Sequence, residues 1–120
     1  MTSVVYNKRL VIARCKKCGR IYWHFADEEP FEEFERRLKN HLLFAHVRKG
    51  QMTTAEAQEW RNWFDLKWFR VFDPSKLQNP ELFDRTHPDF ISLPMYEELK
   101  MLARVHPPSF IEIARRLYKY

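Results

Sequence analysis

The sequence predicts an α+β fold: a ββα module over residues 1–50 packed on a three-helix body over residues 51–120, one compact domain in all. Three observations carry this expectation. Two runs of β-branched and aromatic residues flank a tight turn near the N-terminus, a hairpin signature. Apolar residues then recur at intervals of three and four, the spacing of one helix face. The chain is 120 residues long, with 45% hydrophobic against 31% charged side chains, which suffices for one core but not for several domains. With only two glycines, a barrel of many tight turns and a glycine-rich phosphate loop are both disfavoured.

The hairpin comes first. Leu10-Val11-Ile12-Ala13 is an apolar run, and Ile21, Trp23 and Phe25 alternate on one face of a second strand. Between them lies Cys15-Lys16-Lys17-Cys18-Gly19, where Gly19 can take the positive φ that a knuckle needs. A helix follows from about Pro30 to Val47. Asp27 or Glu28 lies where a cap belongs, and Pro30 suits the first turn. Acids crowd its start and bases follow, matching the helix dipole. Phe31, Phe34, Leu38, His41, Leu42 and Ala45 share a face, and Gly50 is the stop.

A second helix is expected from Thr53, where Glu56 completes a capping box, to about Phe72. Its apolar side chains, from Trp60 to Phe72, would nearly encircle the axis. Such a helix over 54–72 is buried on two sides, by its own domain, a protein partner or a second copy of the chain. Trp60, Trp63, Phe64 and Trp68 are expected to be mostly buried. Residues 73–93 read as an irregular connection with one short turn at Pro80 to Phe83. Two short helices follow, about Pro94 to Val105 and Ser109 to Lys119, separated by His106-Pro107-Pro108 because proline bars the preceding residue from a helix.

No apolar run approaches the ~20 residues of a membrane span. Met1 to Arg9 has neither the apolar core nor the cleavage site of a signal peptide. An intracellular protein is expected, cytoplasmic or, in a eukaryote, nuclear, with no membrane partner. In size and build the chain is similar to small proteins of archaea and their viruses.

The net charge of +5 is unevenly placed. Lys8, Arg9, Arg14, Lys16, Lys17 and Arg20 stand in residues 1–26, where there is no acid. Asp27, Glu28, Glu29, Glu32, Glu33 and Glu35 follow within residues 27–35. Bases return at Arg36, Arg37, Lys39, Arg48 and Lys49, and residues 51–120 are neutral. The excess sits beside the cysteines and favours polyanionic partners.

The strongest chemical signal is Cys15-x2-Cys18 on the knuckle followed by Leu38-x2-His41-x4-His46 on the helix. Two thiolates and two imidazoles make a closed tetrahedral set suited to structural zinc. His24 is a rival ligand, able to replace one helix histidine. His87 and His106 stand beside prolines in expected loops and read as solvent-exposed. This pattern resembles the C2H2 zinc finger over residues 9–47: cysteine spacing, histidine spacing, Leu38 three before the first histidine and the order of elements all fit. It departs from that family in one respect. Residues 19–40, twenty-two of them, separate Cys18 from His41, where the family usually has about twelve.

Four strong protein ligands leave no open position for water. No Ser/His/Asp order, paired-carboxylate motif or βαβ redox scaffold stands out, so no enzyme is expected. The resemblance implies base reading by helix residues offset from His41, here Phe34, Arg36, Arg37 and Asn40. The acids of residues 27–35 would meet phosphates head-on, so backbone contact by the hairpin bases Lys8, Arg9, Arg14, Lys16, Lys17 and Arg20 is the stronger expectation. Residues 98–117 weakly resemble a helix-turn-helix, with Leu99, Val105, Phe110 and Ile113 at its core positions. The expected function is that of a small zinc-binding protein that binds DNA or RNA in a regulatory or accessory role. The alternative is a zinc-stabilised protein-interaction module, self-associating or not.

Overall fold

The computed structural model describes residues 4–76 and 90–118. Its strands are β1 (Val4–Cys15), β2 (Ile21–Phe25), β3 (Phe64–Phe72) and β4 (Phe90–Ser92). They form one mixed sheet in the order β2-β1-β3-β4. β1 pairs antiparallel with β2 and with β3, and β3 pairs parallel with β4. Helices α1 (Phe31–Leu42) and α2 (Thr54–Gln58) cover one face, and α3 (Leu93–Val105) and α4 (Pro107–Tyr118) cover the other. The expected α+β class and the hairpin-then-helix start are both present. The short turn expected at Pro80 to Phe83, and His87, lie outside the described residues.

β1 explains the layering. Its side chains alternate between faces, and it has helices on both sides, so Leu10, Val11, Ile12 and Ala13 are all fully buried. Leu10 and Ile12 join Phe25, Phe69, Val71, Tyr96, Leu99 and Phe110 in one core. Val11, Ala13 and Cys15 join Phe34, Leu38, Leu42, Trp60 and Phe64 in the other. A strand buried on both faces reads as a continuous apolar run rather than an alternation.

The same physics corrects the helix expected over 53–72. Thr53 does cap a helix: its side chain accepts from the Glu56 N–H, and Glu56 reaches back to the Thr53 N–H. That helix ends at Gln58, a 3-10 turn carries Trp60–Asn62, and Phe64–Phe72 is strand β3. Phe64 and Leu66 face the α1 layer, while Phe69 and Val71 face the α3–α4 layer. An apolar set that encircles a helical wheel also fits a strand covered on both faces. The aromatic and β-branched residues here favour the strand, and pairing with β1 decides it. Trp60 and Phe64 are buried as expected and Trp63 half-buried, but Trp68 is 43% exposed, stacked on Phe31 at 5.6 Å between centroids. There is therefore no aromatic 54–72 helix to offer a partner.

At the C-terminus both expected helices are present, lying on the sheet through Tyr96, Leu99, Phe110 and Ala114. Val105, needed in the core of a helix-turn-helix, is 74% exposed, so that resemblance loses one of its core positions. At the Pro-Pro corner the Ser109 N–H donates to His106 Nδ1 at 3.3 Å, giving the exposed His106 a capping role on α4.

Asp27 does not cap α1, since Pro30 occupies that position. Its carboxylate instead accepts from the Tyr96 hydroxyl and from Lys100 Nζ, at 2.6 Å in the latter case. This ties the turn after β2 to α3. Burial works against the charge on Asp27, but the hydrogen bonds from Lys100 and Tyr96 outweigh it and hold the carboxyl below its ordinary value. A lowered folded-state value means stabilisation that is present above the unfolded carboxylate range, about pH 4, and lost as pH falls through the folded value. Asp27→Asn should therefore destabilise the protein at pH 7, by about 1–2 kcal/mol. The gap to wild type should close on acidification below about pH 4. Urea titrations at several pH values measure this, and a gap independent of pH would mean the contact is not ionic.

Candidate metal centre

The knuckle between β1 and β2 is built to present two sulfurs together. The Gly19 N–H donates to the Cys15 carbonyl at 2.8 Å, and the Cys15 N–H donates to the Arg20 carbonyl at 2.9 Å. Gly19 closes the turn with φ of 78°, a conformation that side-chain-bearing residues rarely adopt. The Lys16 N–H donates to the Trp63 carbonyl at 2.8 Å, which fastens the knuckle to the segment before β3.

The histidines come from the end of α1 and the turn beyond it. Five residues of α-helix rotate through ~500°, which would leave His46 about 140° away from His41 around the axis. The chain avoids this by widening into a π turn over Leu43–Val47. There the Arg48 N–H bonds the Leu43 carbonyl and the Gln51 N–H bonds the His46 carbonyl. Each such bond spans five residues, which lets the two imidazoles converge on one point.

Cys15 Sγ lies 3.4 Å from His46 Nε2, and Cys18 Sγ lies 3.3 Å from His41 Nε2. All four donor atoms fall within 4.8 Å of one another. Metal–sulfur bonds of ~2.3 Å and metal–nitrogen bonds of ~2.0–2.1 Å in a tetrahedron imply a sulfur–nitrogen edge of roughly 3.5 Å. The set fits a tetrahedral ion of that size. Cys15, His41 and His46 are buried and Cys18 is exposed.

The surroundings favour the metal-binding form of His41 and disfavour that of Cys15. Burial, reinforced by the neighbouring His46 and Arg20, lowers the His41 pKa to about 4, so its imidazole is neutral near pH 7. Burial pushes the Cys15 thiol up, and a bound cation would reverse this by taking the thiolate. His46 Nδ1 is 2.5 Å from Gln51 Oε1. That oxygen only accepts, so it fixes the proton on Nδ1 and leaves Nε2 free for a metal. Gln51 was not foreseeable from spacing; only the turn that follows the π segment brings it there.

His24 is not part of the cluster. It is buried against Phe34 at 5.3 Å between ring centroids, with Nδ1 3.2 Å from Glu29 Oε1. Glu29 in turn accepts from both terminal nitrogens of Arg37. The residues between Cys18 and His41 are spent on β2, its following turn and the early turns of α1.

The hairpin bases do not form one patch. Lys8 pairs with Glu97 on α3, and the exposed Arg9 lies roughly 20 Å along β1 from Cys15. Arg14, Lys16, Lys17 and Arg20 are exposed around the knuckle. Lys16 is 3.7 Å from Asp65, Lys17 lies over the Trp63 ring and Arg20 over the Tyr22 ring. Of the finger-type reading positions, Phe34 is fully buried and Arg37 is held by Glu29 and the Trp23 carbonyl. Arg36 and Asn40 are exposed.

The four residues define a candidate Cys2His2 metal-binding cluster in a small α+β protein. No protein-family model matches the chain, and no curated protein or solved structure is significantly similar to it. The finger resemblance therefore rests on the ligand set and the ββα order alone. Among the described residues, no helix is long and apolar enough to cross a membrane.

Proposed function

We propose that this chain is a small zinc-binding protein that binds nucleic acid in a regulatory or accessory role. The carrying observation is the closed Cys15, Cys18, His41 and His46 set on a knuckle whose Arg14, Lys16, Lys17 and Arg20 are exposed. Two thiolates with two imidazoles suit zinc, and four protein donors make its role structural rather than catalytic. Zinc held there would fasten the hairpin to α1 and fix the basic turn in one shape. Phosphates are the ligands such a turn suits.

Each cation that displaces a counterion from duplex DNA adds about 0.9 to the slope of log affinity on log salt. Replacing Lys16, Lys17 and Arg20 together by Gln should flatten that slope and weaken all sequences alike. Arg36→Ala and Asn40→Ala should leave sequence preference unchanged, because Phe34 and Arg37 beside them are committed to the fold. Binding titrations at two salt concentrations test this; an unchanged slope in the triple variant would reduce the basic knuckle to a solvated surface. A role in protein association is the second reading, favoured by Met101 and Val105. They lie one turn apart on α3 and are 68% and 74% exposed. A mass that rises with concentration would support it.

A further inference from the structure

β2 is an edge strand, and two adjoining hollows run along its free side. The deeper, about 470 Å³, lies toward α4 and has Trp23 and Arg115 in its wall. The shallower, about 390 Å³, lies toward the end of α1 and has Asn40 and Phe44 in its wall. Arg20, Tyr22 and Arg37 line both, so they form one groove.

We propose that this groove binds single-stranded nucleic acid, with Arg20 and Arg115 on its phosphates and an unpaired base on Phe44. The proposal rests on the nucleic-acid reading above and gives it a place and a strand state. Among the described residues Arg20 and Arg115 have no carboxylate within 4 Å. The acids in the wall are already matched: Glu29 by Arg37 at 2.6 Å, and Glu28 by Arg104 at 3.5 Å. With no carboxylate matching them among the described residues, Arg20 and Arg115 set the sign of the groove.

Phe44 provides the surface for the base. It is 56% exposed, carried outward by the π turn that sends His46 inward. The Arg48 guanidinium sits 4.5 Å from its ring centroid. A base stacked on this ring would meet an aromatic plane backed by a cation. Only an unpaired base offers a free face, since duplex bases are already stacked on each other.

An extended acidic peptide would instead add to the edge of β2 through backbone hydrogen bonds. That edge is blunted. Arg37 takes the Trp23 carbonyl at 2.9 Å, and the Glu28 N–H takes the Phe25 carbonyl at 3.0 Å. With these acceptors engaged, the groove meets a ligand through side chains, as a nucleic acid requires.

The test uses the full chain and a fluorescein-labelled oligonucleotide of mixed sequence, in DNA and RNA forms, each single-stranded and annealed. Arg115→Gln and Phe44→Ala are compared with Arg61→Gln, which lies away from the groove, after melting curves show all three folded. The single strand should bind more tightly than the duplex. Arg115→Gln should lower the salt slope on the single strand by about 0.7. Phe44→Ala should weaken binding by about tenfold, and Arg61→Gln should not change it. If the duplex binds as well as the single strand, or both groove variants bind like wild type, the groove proposal fails. Weaker binding in a Lys16→Gln, Lys17→Gln variant, which keeps Arg20, would then leave the broader reading standing. If no form of nucleic acid binds, both fall. Equal binding of polyglutamate overturns the groove proposal in favour of an acidic protein ligand.

Discussion

Cys15→Ser should abolish stoichiometric metal binding and lower the melting temperature by ~10 °C or more. Apparent zinc binding in finger peptides is worth ~10–16 kcal/mol, all of it available to folding because no preformed site exists in the unfolded chain. Here the ligands also close long spans: Cys15 and His46 stand 31 residues apart. The stabilisation realised is set by free metal against its dissociation constant, so several kcal/mol, at several degrees each, should be lost with the site. Gln51→Ala removes only the partner of His46 Nδ1, so a loss of ~10–100-fold in metal affinity is expected with the fold intact. Elemental analysis and melting with and without chelator measure both. Protein that purifies without metal and melts identically in chelator would remove the site.

Phe69→Ala should cost about 3–5 kcal/mol, the usual price of emptying a large aromatic site in a core. Phe69 is 1% exposed and packs with Tyr96, Leu99 and Phe110. Trp68→Ala, one residue earlier, should cost about 1 kcal/mol or less, because Trp68 is on the opposite face, 43% exposed. This contrast between neighbours is what a strand requires. On a helix positions 68 and 69 would sit only ~100° apart and share a boundary. Denaturant unfolding of the two variants measures the difference; equal losses would contradict the placement of β3.

What was legible in the sequence is what local chemistry encodes. Gly19 with its neighbouring cysteines signalled the knuckle, and the spacing from Phe31 to Leu42 signalled α1. The prolines at 107 and 108 marked the break between the last two helices. The ligand set was legible because cysteine and histidine spacing survives any detail of the scaffold. β3 was not legible. Its period of two vanishes when Phe64 and Leu66 serve one core and Phe69 and Val71 the other. The true capping box at Thr53 then invited extension of a helix that ends after one turn. What settles β3 is pairing with β1, some fifty residues away in the chain, and no local window holds that information. The groove along β2 was invisible for the same reason, since Arg20, Phe44 and Arg115 meet only after folding.

β1 has a further consequence. It is a party wall: Leu10 and Ile12 are bricks of one room and Val11, Ala13 and Cys15 of the other. Neither helical layer can peel away without baring one side of that wall. Its strand-to-strand pairing with β3 also joins distant parts of the chain, so closure entropy must be met before that contact stabilises anything. The two layers are therefore expected to unfold together in one cooperative step. The amides of residues 10–15 should exchange only on opening of the whole molecule. The candidate ligand Cys15 ends this wall, so an ion bound at the knuckle would be felt by both layers, including the one it never touches.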